Sequence, residues 1–193
     1  MKLLEDRILK DGVVRPGGVL KVDSFLNHQI DVPFIEELCK EFMGHFGGSR
    51  VGKILTIEAS GIGIACIAAL RFGVPAVFAK KSAGTNMDED VYSARVCSYT
   101  HNRTENVLVS KKFISPGDRI LIIDDFLANG SAAEGLLGII EEAGAVAVGI
   151  GVAVEKGFQG GGDRLREAGI DVCSLAVIDR MDAENGTIEF RRR

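Results

Sequence analysis

Apolar residues fall into short blocks, and from residue 50 onward the blocks keep one rhythm. Lys53 to Ile57 reads as a buried strand, Ser60 to Phe72 as a helix and Pro75 to Ala79 as a second strand. The run Arg119-Ile120-Leu121-Ile122-Ile123 predicts a strand covered on both faces. It is followed by a turn, a helix from about Ser131 to Ala143 and a strand from Ala145 to Val154. Arg164 to Ala168 suggests a short helix, and Asp171 to Ile178 a further strand ending at Asp179. Strands alternating with helices imply an α/β fold: a central, mostly parallel sheet with helices on both faces.

Two stretches break the rhythm. Val91 to Tyr99 and Val107 to Phe113 read as arms of a hairpin, joined by the polar stretch Thr100 to Asn106. The first 45 or so residues combine a short amphipathic helix (Leu3, Leu4, Arg7, Ile8), an extended piece from Gly18 to Leu26, and a second helix. Asp31 and Pro33 open that helix, which places Phe34, Ile35, Leu38 and Phe42 on one face. The expected organisation is one domain over residues 1–193, with a core at about 50–180 and an N-terminal hood at about 1–45 that caps the sheet edge.

Composition narrows the class. The 193 residues are 46% hydrophobic and 26% charged, enough apolar material for a sizeable core, with a formal net charge of −4. That balance argues against nucleic acid or an anionic membrane as partner. The longest charge-free runs, Gly61 to Leu70 and Gly144 to Val154, are too short to span a bilayer, and Met1 to Arg7 meets charge before any leader-like apolar segment. A cytoplasmic protein is expected. Cys39, Cys66, Cys97 and Cys173 lack paired spacing and read as reduced, mostly buried thiols, so no metal held by protein side chains is expected.

The chemistry concentrates in Ile120 to Ala132. Four consecutive apolar residues deliver Asp124 and Asp125 to the carboxyl end of a strand, where open α/β sheets collect ligands. Adjacent carboxylates repel and lose hydration on burial, so donors or cations must meet them: sugar hydroxyls would serve, as would Mg²⁺. Ala128, Asn129, Gly130, Ser131 and Ala132 then turn into a helix whose backbone N–H groups converge on an anion. The plainer alternative is a helix cap beside two solvated acids.

This thirteen-residue segment resembles the phosphoribosyl pyrophosphate (PRPP) motif of the type I phosphoribosyltransferases, and the element order resembles that family over most of residues 50–180. The N-terminal segment and Glu155-Lys156-Gly157-Phe158 resemble the xanthine-using members. The resemblance implies that Asp124 and Asp125 hold the ribose hydroxyls and that Ala128 to Ala132 holds the 5′-phosphate. Two departures stand out: Ala128 replaces an aspartate carried by several purine-using members, and Asn129-Gly130-Ser131-Ala132 lacks the common threonines.

A second glycine turn, Glu58-Ala59-Ser60-Gly61, follows the first strand and by resemblance is the pyrophosphate loop. A dinucleotide fingerprint would need glycine or alanine where Cys66 stands. Lys80 and Lys81 end the next strand, where one ammonium could offset charge building on departing pyrophosphate. Ser98-Tyr99 resembles part of a flexible loop that closes over the reaction. For the purine, Lys156 would donate to O6, Phe158 would stack, Leu20 would pack on the base and Asn27 would bond an edge. The implied activity is transfer of 5-phosphoribosyl from PRPP to N9 of xanthine, with Mg²⁺ held mainly through substrate oxygens and a homodimer as the assembly. A guanine or hypoxanthine transferase is the alternative among enzymes. A PRPP-sensing regulator is the alternative among binding proteins, although no recognition helix precedes the sheet and Arg191-Arg192-Arg193 is a short basic tail.

Overall fold

A computed structural model describes residues 1–81, 90–98 and 103–192. In chain order the elements are α1 (Lys2–Asp11), β1 (Val13–Arg15), β2 (Val19–Lys21), α2 (Val32–Phe46), β3 (Lys53–Ile57), α3 (Gly61–Phe72), β4 (Ala76–Ala79), β5 (Val91–Ser98) and β6 (Arg103–Ser110). They continue with β7 (Arg119–Leu127), α4 (Ser131–Glu142), β8 (Val146–Lys156), α5 (Gly161–Glu167), β9 (Val172–Asp182) and β10 (Thr187–Phe190). A π-helical turn, Asp23–Asn27, links β2 to α2.

The main sheet has six strands in the order β10-β9-β8-β7-β3-β4, parallel throughout except where β10 returns antiparallel to β9. The chain runs outward from β3 to β4, then returns to β7 and runs outward the other way. The carboxyl ends of β3 and β7 therefore flank a topological switch point, where such sheets open a crevice. Alternation along β7 serves both faces: Leu121 and Ile123 join an apolar cluster with α1, α2 and α3, while Ile120 and Ile122 join one with α4 and the β5–β6 hairpin.

Three sequence expectations are corrected. The second hairpin arm begins at Arg103 rather than Val107, and Lys111–Phe113 is a 3₁₀ turn. Strand β10 was not anticipated: its four residues, TIEF, are too short to show a periodic signal. The N-terminal helices cover a face of the sheet rather than its edge, since Leu4, Ile8, Leu38 and Phe42 pack into the same cluster as Ala153, Leu175 and Ile178. Cys39 is buried, and burial pushes its thiol up to about 12, whereas Cys66 is exposed on α3. No helix among the described residues is long and apolar enough to cross a membrane.

Candidate functional site

The carboxyl end of β7 lifts Asp124 and Asp125 into the crevice. Asp125 is 5% exposed, and both its oxygens are occupied: Asn27 Nδ2 donates to Oδ2 at 2.9 Å, and Ser60 Oγ donates to Oδ1 at 3.0 Å. One carboxylate thus joins the N-terminal segment, the loop after β3 and the strand end. Asp124 Oδ1 accepts from the Asp125 backbone N–H at 2.9 Å. Burial, and then the neighbouring Asp125 charge, hold the Asp124 carboxyl well above the ordinary carboxylate range.

Beyond β7 the chain turns on Gly130, whose φ of 86° suits glycine and caps α4. Asn129 Oδ1 accepts from the Ser131 N–H at 3.1 Å, an Asx turn that sets the amides of the loop. A cavity of ≈ 180 Å³ brings Asp124, Asp125, Ala128, Asn129, Gly130 and Ala132 together with Glu58 and Ser60. Lys81 also lines this cavity, with its N–H donating to Glu58 Oε1 at 2.7 Å. Lys80 pairs its backbone with Leu108 instead and moors the β5–β6 hairpin to the sheet. Of the two lysines, Lys81 is therefore the one at the cavity. The Glu58–Ala59 peptide is cis. Ser98 ends β5, and Tyr99 lies outside the described residues.

An adjoining cavity of ≈ 520 Å³ shares Ser60, Asp125, Phe126 and Ala128 with the first and adds Gly18, Leu20, Asn27 and Lys156. Lys156 Nζ donates to the Gly18 carbonyl at 2.9 Å and lies 5.5 Å from the Phe126 ring centroid. Burial lowers its pKa, and the Asp125 charge opposes that shift. Phe158 does not line this cavity: it is 44% exposed and sits beside Gly18. The aromatic face at the cavity belongs to Phe126, which directly follows the two acids on β7.

Two further parts of the site carry little sequence signal. Glu155, at 0% exposure, receives a forked ion pair from Arg166 at 2.6 and 3.1 Å and the Ser174 hydroxyl at 2.5 Å. The pair fixes α5 against β8 directly behind Lys156. The start of α5 in turn backs the phosphate-loop candidate, with Arg164 Nη2 donating to the Asn129 carbonyl at 2.5 Å and Gly161 packed against the same backbone. The glycine run Gly160-Gly161-Gly162 was the one visible hint of so close an approach. Among the described residues, no group of three or more His, Cys, Asp or Glu side chains gathers to hold a metal ion.

The model of the phosphoribosyl transferase domain matches residues 21–174. Xanthine phosphoribosyltransferase of Bifidobacterium adolescentis is 58% identical over 192 residues, covering 99% of this chain and 100% of the relative. The enzyme of that name from Lachnoclostridium phytofermentans is 56% identical over 191 residues, covering 99% and 98%. The fold matches the solved adenine phosphoribosyltransferases of Giardia lamblia and Rhodothermus marinus. The first has a TM-score of 0.75 at 20% identity, covering 90% of this chain and 96% of that one; the second has 0.74 at 22%, covering 91% and 98%. With a family match across most of its length and close relatives along nearly all of it, the chain belongs to the phosphoribosyl transferase family.

Proposed function

We propose that this chain transfers the 5-phosphoribosyl group of PRPP to N9 of xanthine, releasing xanthosine monophosphate and pyrophosphate. The observation that carries the reading is the pair of cavities joined at Asp125. One is walled by acids and a small-residue turn suited to a pentose phosphate, and the other by Lys156, Leu20 and Phe126 suited to a flat base. The names of the close relatives support the choice of base.

In this reading the amides of Asn129 to Ala132 hold the 5′-phosphate, and Asp124 and Asp125 receive the ribose hydroxyls. The loop from Glu58 to Gly61, with Lys81, faces the diphosphate, where its donors stabilise the charge that gathers as the bond to the anomeric carbon lengthens. Mg²⁺, for which the described residues gather no cluster of protein ligands, would supply neutralisation of the leaving group. Rate enhancement comes mainly from alignment of N9 with the anomeric carbon. Lys156 offers donors and no acceptor, so it suits the carbonyl at C6 of xanthine and leaves the amino group of adenine unmatched, which costs about 1–3 kcal/mol. The proposed assembly is a homodimer and the proposed location the cytoplasm, to be checked by sedimentation and by cell fractionation.

The direct test is a radiolabelled transfer assay with PRPP and, separately, xanthine, guanine, hypoxanthine and adenine. Xanthine should be used with the highest kcat/KM. Preference for guanine or hypoxanthine would move the assignment to those bases, and preference for adenine would remove the Lys156 role.

A further inference from the structure

The carboxyl end of β3 holds a hydroxyl with no hydrogen-bond partner among the described residues. Thr56 is 1% exposed, and among the described residues its Oγ1 makes no hydrogen bond. A buried hydroxyl left unpaired destabilises a fold, and valine would fill nearly the same volume in a strand without that penalty. A Cβ built on Gly61 would run into Thr56 Oγ1 and would lie 2.5 Å from Asp124 Oδ1. The missing side chain of Gly61 thus leaves open a point that both oxygens border.

Asp124 has acceptor capacity to spare. Among the described residues Oδ1 accepts the Asp125 N–H, and an ionised carboxylate has about four acceptor sites. A carboxylate that takes up a charge-assisted donor gains a shorter and stronger bond than a neutral acceptor would, and Thr56 is the buried hydroxyl nearest to hand. We infer that Thr56 is a positioning residue for Asp124, donating its hydroxyl to the carboxylate once the pentose of PRPP draws Asp124 into its ligand-holding form. Thr56 does not itself line the cavity; it acts from behind Gly61. The inference rests on the reading of Asp124 as a ribose ligand.

The test compares the wild type with T56V and T56S in steady-state transfer, in PRPP binding by calorimetry and in thermal melting without ligand. A positioning role predicts that T56V melts at or above the wild-type temperature, because an unpaired hydroxyl has been removed. The same variant should raise the KM and Kd for PRPP about tenfold, as expected for one lost charge-assisted bond. T56S should restore wild-type values. If T56V fails to fold, T56A carries the same predicted rise. Wild-type KM and Kd in T56V or T56A would overturn the inference, as would T56S behaving like T56V. A wild-type chain unable to use PRPP with any purine would overturn the underlying reading of Asp124, a result distinct from an active wild type matched by T56V.

Discussion

Gly161 gives the sharpest handle on the phosphate loop, because it belongs to α5 and contacts the loop only through backbone. A Cβ at this position would contact the Ala128 carbonyl oxygen and lie 2.5 Å from the Asn129 carbonyl carbon and the Gly130 amide nitrogen. Ordinary contact begins at 3.4 Å, so G161A must drive the loop and the helix apart by about 0.9 Å. Backbone atoms cannot rotate away as a flexible side chain can. A displacement of this size in the group that holds the substrate costs about 100-fold in rate, so kcat/KM for PRPP should fall by about that factor. Overpacking of this kind also costs about 1–3 kcal/mol of stability, which at about 2–4 °C per kcal/mol lowers Tm by a few degrees. Gly138, exposed on α4 with nothing near its missing Cβ, is the control: G138A should stabilise by about 0.5–1 kcal/mol and leave transfer unchanged. Steady-state assays varying PRPP, with melting curves for both variants, decide the matter. A G161A enzyme with KM and kcat within about twofold of wild type would refute the claim that this backbone holds the phosphate.

Other consequences follow from the charged groups. Asp124 has a folded pKa above its unfolded value of 3.8, so its contribution to stability is present at low pH and is lost as pH rises through the folded value. D124N should therefore melt higher than wild type near neutral pH, with a difference that shrinks toward pH 4, while its transfer activity falls sharply; a pH series of melting curves checks the trend. R166M leaves the buried Glu155 carboxylate unpaired and should destabilise by about 3 kcal/mol, the low end for a broken buried pair because the guanidinium is partly exposed; urea titration measures it. K156M removes the donor to Gly18 and to the base, and should raise the KM for xanthine about 10–100-fold with a smaller effect on that for PRPP. Parallel titrations of the two substrates would show the split.

The parts of this molecule that could be read in the sequence are those that advertise themselves locally. Ile120 to Ile123 is a continuous apolar run because β7 is covered on both faces, and the acids at its end stand out because nothing in a core needs them. The small residues from Ala128 to Ala132 mark the turn for the same reason. What escaped detection depends on partners remote in sequence. Asn27 meets Asp125 across 98 residues and Lys156 meets Gly18 across 138, so neither bond leaves a local trace. Glu155 was read with the lysine beside it, whereas its own chemistry is a fully buried pair with Arg166. Phe126 was hidden by its surroundings, since an aromatic residue in an apolar strand looks like core. Phe158 looked like the stacking ring because it lies close to Lys156 in sequence, but the 3₁₀ turn Gly157–Gln159 directs it outward.

The central claim is that the turn from Ala128 to Ala132 grips a sugar phosphate, with Asp124 and Asp125 on the pentose and Lys156 on the base. A crystal structure with bound xanthosine monophosphate tests it most directly. The account predicts phosphate density against the amides of Asn129 to Ala132, ribose hydroxyls on the two acids, and the purine between Leu20, Phe126 and Lys156. Nucleotide density elsewhere on the molecule, with this crevice empty, would contradict it.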